Sequence, residues 1–210
     1  MKSISDQEHP PVQPPVPPTL VGQLARWISN IAHPILTSLS GVVVIAIAMG
    51  TPEAWKWAVI GLLITVGVPS LYLVWLVRSG RATDFDVFVR QQRKGPYLVT
   101  IACLLLCWVV MYFGAAPLSF VVILSASILE ILLLFLINLR WKISAHATTS
   151  AGFAVLIWQL FGPPGALWFL FSLVVIWSRV YLKRHTLAQT LFGALLGAAL
   201  IYLAFQWFLV

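Results

Sequence analysis

Two of the four histidines, His146 and His185, lie in short polar segments beside basic residues. Arg140 and Lys142 precede the first, and Arg179, Lys183 and Arg184 precede the second. A further basic segment, 78–96, carries Arg81, Arg90 and Arg93. Imidazoles among cationic side chains suit phosphoryl transfer. A phosphate ester in transfer needs fork-shaped positive donors around its equatorial oxygens, and Arg179 with the arginines of 78–96 can supply them. It needs a nucleophile in line, and a neutral imidazole can attack phosphorus to give a phosphohistidine. It also needs an acid for the leaving oxygen, which a second imidazole can be. Backbone amides near Ala147 and Thr148, at the start of an apolar stretch, add helix-terminus donors for an anion. The other two histidines are His9, in a proline-rich terminus, and His33, at the entrance of an apolar stretch, where a structural role is the default.

The spacing around these residues carries a resemblance. Ser178-Arg179 is followed after five residues by His185, and then by the small residues Gly193 and Gly197. Lys142-Ile143-Ser144-Ala145-His146 is similar to a Pro-Ser-Gly-His motif, with Ile for Pro and Ala for Gly. Together, over roughly residues 78–197, the chain resembles the lipid phosphate phosphatase and vanadium haloperoxidase superfamily (type-two phosphatidic acid phosphatases), as a divergent member. The resemblance implies that His185 is the nucleophile and His146 the general acid. It also implies that Arg179 and Ser144 hold phosphate oxygens, Ala145 offers its amide there, and the reaction needs no metal or other cofactor.

Three positions depart from the family pattern. Gln189 stands where the third motif has an Asp four residues after its histidine; a Gln oxygen can orient an imidazole but cannot neutralise its charge. The first motif, Lys, six residues, Arg-Pro, is represented by the segment from Arg81 to Pro96. There Arg93 is the candidate for the arginine and Arg81 or Arg90 for the lysine, with Lys142 a further phosphate ligand or else a membrane anchor. Ala145 replaces a glycine, which closes the glycine-only backbone conformations. Asp84 and Asp86 flank Phe85 in the same segment. Two carboxylates and a phosphate can hold magnesium, but pairing with Arg81 and Arg90 is the simpler expectation.

What must position these groups is a membrane bundle. The chain has 210 residues, 60% hydrophobic and 9% charged, with a net charge of +7, and its mean hydropathy is +0.95. Soluble domains run near a quarter charged, and disordered chains are poor in apolar residues. Residues 1–18, with six prolines from Pro10 to Pro18, read as a solvated extended tail, open to a proline-binding partner. Residues 19–32 read as an interfacial helix with Trp27 at headgroup level. Seven apolar stretches follow, at about 33–50, 55–77, 97–113, 118–138, 147–162, 165–182 and 187–209. The expected fold is therefore an all-α polytopic bundle over 33–210, of about six to seven transmembrane helices, with a phosphatase-like core. Tight turns are expected at 114–117 and 162–165, and Pro69 is expected to kink its span. Cys103 and Cys107, one helical turn apart, read as packing residues rather than a disulfide.

Counting helices places the N-terminal segment, 78–96, 139–146 and 179–185 on one side of the membrane. Of thirteen Lys and Arg residues, all but Lys56 fall there. The positive-inside rule makes that side cytoplasmic and the protein a multi-pass protein of the cell membrane. The expected substrate is a phosphate or diphosphate ester of a lipid, such as phosphatidate or a polyprenyl diphosphate, with membrane lipids and no nucleic acid as partners. Phosphotransfer to another acceptor and a non-catalytic lipid-binding or assembly role are the alternatives. Glu130, inside an apolar stretch, reads as a helix-packing or substrate-channel group. A transporter reading finds no inverted repeat to support it.

Overall fold

A computed structural model describes residues 19–208; the proline-rich tail lies outside them. Among the described residues there are helices and turns and no strand. The helices are α1 (Leu20–Ile31), α2 (Pro34–Met49), α3 (Pro52–Leu62), α4 (Val68–Arg78), α5 (Lys94–Phe113), α6 (Leu118–Asn138), α7 (Ala145–Phe161), α8 (Ala166–Tyr181) and α9 (Leu187–Phe208). All seven apolar stretches read from the sequence are helical. Five helices are long and apolar enough to cross a membrane, and six if α1 and α2, bent by 49° at their junction, form one span. At 17 residues, α7 falls short of these spans. It is also the central helix: residues from His146 to Ile157 are nearly all buried, against α2, α8 and α9.

Local chemistry explains the elements. His33 and Thr51 cap α2 and α3 through side-chain acceptors, and a proline follows each, where its missing N–H costs nothing. Pro69 does not break its span. A proline ring would collide with the carbonyl four residues back, and the helix widens to a π turn over Leu63–Gly67, so that Pro52–Arg78 runs on as one span. The turn at 114–117 brings Gly114 against Trp57, where a Cβ would collide with the indole. Cys103 and Cys107 are free and buried.

Helix α1 divides into three stripes. Gly22, Ala25 and Ser29 are buried, and the helix packs on α8. Leu20, Leu24, Trp27 and Ile31 are exposed along one face, and Gln23, Arg26 and Asn30 along another. The docked helix thus exposes one apolar and one polar face.

Long-range contacts gather four segments at one end of the bundle. Arg90, in the 79–93 loop, donates to the carbonyls of Asn138 and Leu139 at the end of α6. Arg179 in α8 donates to Ser29 in α1. His185, before α9, is bonded to Lys142, before α7. The helix count from the sequence requires this convergence.

Candidate active site at one end of the bundle

The start of α7 is set by two contacts. Ser144, fully buried, caps the helix by accepting from Ala147 N at 3.4 Å. On the other side α9 comes close: a Cβ on Gly193 would stand 2.8 Å from Ser144 O and Thr148 Oγ1, and one on Gly197 would collide with the Thr148 carbonyl. The two glycines after the third motif thus let α9 lie directly on the first turn of α7. His146 and Ala145, in that turn, face an internal cavity.

His185 is delivered by the turn that ends α8. The Arg179 carbonyl accepts from both Arg184 N and His185 N, at 3.0 and 3.3 Å, and Lys183 takes a left-handed φ of 53° to reverse the chain. His185 Nδ1 lies 3.1 Å from the Lys142 carbonyl. A carbonyl only accepts, so Nδ1 carries the proton and Nε2 keeps its lone pair. Burial first, then the charges of Arg179, Arg93 and Lys142, push the imidazole down to about 2, so it is neutral. This is the tautomer and charge state of a nucleophile.

Gln189 does not orient this ring. Its Oε1 accepts from Thr186 N at 3.1 Å while its N–H donates to Thr186 Oγ1 at 3.3 Å, a capping box at the start of α9. The orienting acceptor is the Lys142 carbonyl instead. The Lys142 ammonium packs over the Phe88 ring at 3.7 Å, and burial and nearby arginines push it down to about 8.

Arg179 is 2% exposed. Its Nη1 donates to Ser29 Oγ and to Asp86 Oδ2, the latter at 3.1 Å, and lies 3.5 Å from His146 Nε2. Its Nε is buried with no hydrogen-bond partner, a donor lacking an acceptor. Arg93, also buried, donates through Nε to the Val87 carbonyl at 2.8 Å and faces the cavity.

The other two candidate arginines are elsewhere. Arg81 stacks on Trp75, 4.6 Å from the ring, and Arg90 ties the loop to α6. Neither pairs with the acidic residues of the loop. Asp84 bonds Thr83 Oγ1 and Phe88 N within its own turn, and Asp86 reaches into the site. Asp86 Oδ1 lies 3.8 Å from His146 Nε2 and 4.0 Å from His33 Nε2. Burial alone would raise its pKa, but the charges of His146 and Arg179 and the hydrogen bond from Arg179 hold it well below the usual carboxylate range. Asp86 and His33 are thus site residues that sequence reasoning gave other roles. Sequence separation hides such a meeting: hinge, loop, α7 and α8 join only in the folded chain.

His33, Asp86 and His146 place three potential metal-ligand atoms within 4.8 Å of one another. Two features of the donor set oppose a cation there. Arg179 already neutralises Asp86, and His33 Nδ1 accepts from Ile35 N at 3.3 Å, which leaves the proton on Nε2, the atom facing the group.

A cavity of about 340 Å³ begins at this cluster, with His33, Asp86, Arg93, His146 and His185 in its wall. It continues between the helices along Leu104 and Phe153 to Met111 and Phe120, next to the α5–α6 turn at the opposite end of the bundle. Glu130 faces it partway along. One polar end and a long apolar remainder is the shape an amphiphile fills. No protein-family model matches the chain, and no curated protein or solved structure does either.

Proposed function

We propose that the protein is a membrane lipid phosphatase of the lipid phosphate phosphatase type, which hydrolyses a phosphate or diphosphate ester of a lipid without a metal ion at the cytoplasmic face of the cell membrane. The observation that carries this reading is a buried guanidinium with an unpartnered Nε, in contact with His146 and Asp86, which line the polar end of a largely apolar cavity together with His185 and Arg93. A phosphate oxygen supplies the acceptor that Arg179 Nε lacks, Arg93 holds a second oxygen, and the lipid tail occupies the cavity.

His185 Nε2 attacks phosphorus as the bond to the ester oxygen breaks. The departing oxygen keeps that electron pair and takes a proton from His146. Water then attacks the phosphohistidine and gives a proton back to His146. The P–N bond breaks and its pair returns to His185, freeing inorganic phosphate. Ser144 Oγ accepts from Ala147 N and so supports the α7 amides, while its own proton is left to donate to a phosphate oxygen.

The test is phosphate release by the purified protein in detergent, from phosphatidate and from a polyprenyl diphosphate, with and without a chelator. The expected result is chelator-resistant release that disappears in His185→Ala. Release that survives His185→Ala, or that stops with chelator, contradicts the mechanism. No release from either lipid favours the non-catalytic anion-binding alternative.

A further inference from the structure

The proposed reaction requires His146 to hold a proton next to a permanent cation. Arg179 Nη1 is 3.5 Å from His146 Nε2, and a guanidinium does not give up its charge. An imidazolium there is opposed by burial and by that neighbour. Asp86 offsets them, because its Oδ1 is 3.8 Å from the same nitrogen, and at nearly equal distances attraction and repulsion are of similar size.

We propose that Asp86 is the positioning residue of the general acid: it holds Arg179 on one oxygen and faces the ring of His146 with the other, so that His146 can deliver a proton to the leaving oxygen. This rests on the phosphatase reading of the same site. It puts the carboxylate on the loop before α5 and opposite the acid, while Gln189 occupies the place after the nucleophile.

The loop is built to hold Asp86 there. Val87 has a φ of 44°, a left-handed conformation that is an outlier for a β-branched residue and persists only where surrounding contacts enforce it. Those contacts are present. Arg93 Nε takes the Val87 carbonyl, Asp84 takes Phe88 N, and the Phe88 ring lies beneath Lys142 at 3.7 Å and near Arg184 at 5.4 Å. From the hinge, His33 turns its protonated Nε2 toward Asp86 Oδ1, a dipole that favours the ionised carboxylate without adding charge. The remaining charged or titratable groups in the cavity wall on this side are Arg93, Tyr97 and His185.

A general acid matters in proportion to how poor the leaving group is, which gives a readout that loss of structure would not imitate. Turnover of a short-chain phosphatidate, whose leaving alkoxide needs a proton, is compared with that of nitrophenyl phosphate, whose leaving group does not. Asp86→Asn is expected to lower kcat on the phosphatidate by roughly a hundredfold more than on nitrophenyl phosphate, the lower end of general acid–base effects, since both substrates share any loosening of Arg179 and only the first needs the acid. Asp86→Glu is expected to recover part of the loss. Retained nitrophenyl turnover also shows that the variant is folded. Equal losses on both substrates overturn the proposal, as does a faster phosphatidate reaction, which would make Asp86 a competitor for the anion site. Wild-type protein silent on both substrates overturns the phosphatase reading, and the role of Asp86 with it.

Discussion

Lys142 contributes its carbonyl to the site while its ammonium packs on an aromatic ring, and that carbonyl fixes which nitrogen of His185 is bare. Burial and the neighbouring cations, which outweigh that bond, give the folded state a distinctive acid response. Folded His185 titrates near 2 and an unfolded histidine near 6.5, so above about pH 6.5 the ring is neutral in both states and contributes no pH dependence. Below it the unfolded chain gains a proton that the folded chain refuses, and stability falls by up to about 1.4 kcal/mol per pH unit. The depressed Asp86 adds to acid loss only below about pH 4, where an unfolded carboxylate protonates. The Tm advantage of wild type over His185→Asn should therefore shrink from pH 7 to pH 5; an advantage constant with pH would contradict a buried neutral ring. At this scale His146, His185 and Arg179 were singled out by motif spacings, and the structure brings the three to one end of the bundle. Asp86, His33 and the tautomer-setting carbonyl were not legible in this way. They depend on contacts across the fold, and in sequence Arg81 and Arg90 look no different from Arg93.

At the scale of elements, the site depends on how closely α9 approaches α7. Gly193 and Gly197 were read as small residues trailing a motif, and the structure gives them a use: they bring α9 onto the helix start that carries His146. Gly197→Ala forces a methyl group into the Thr148 carbonyl, and overpacking of this kind costs about 1–3 kcal/mol. Thermal unfolding in detergent should register that loss, together with a fall in turnover as α7 shifts. An unchanged Tm would mean that the two helices are not in close contact. The seven apolar stretches were legible from hydropathy alone, since each is bounded by turn-forming or charged residues. The π turn was not, because Pro69 predicts a disturbance without saying whether the span kinks or widens around it.

Over the whole molecule, alternating helices carry chemistry to one end and leave Lys56, paired with Glu53, at the other. The α1–α2 junction, three loops and the end of α8 build the polar cluster, while α2, the Pro52–Arg78 span, α5, α6 and α7 line the cavity beneath it. A charged headgroup bound at that end would have its tail already inside the protein. Charge counting and helix parity made this layout legible; the cavity was not, because no local pattern encodes where helices fail to fill space. The proposed function requires that His185 become transiently phosphorylated, which rapid alkaline or neutral quench during turnover of a lipid phosphate, followed by mass spectrometry of the phosphopeptides, would detect. A phosphate on the peptide containing His185, lost on mild acid treatment and absent from His185→Asn, is the predicted result. Steady turnover with no phosphate on His185, or with phosphate on another residue, would contradict it.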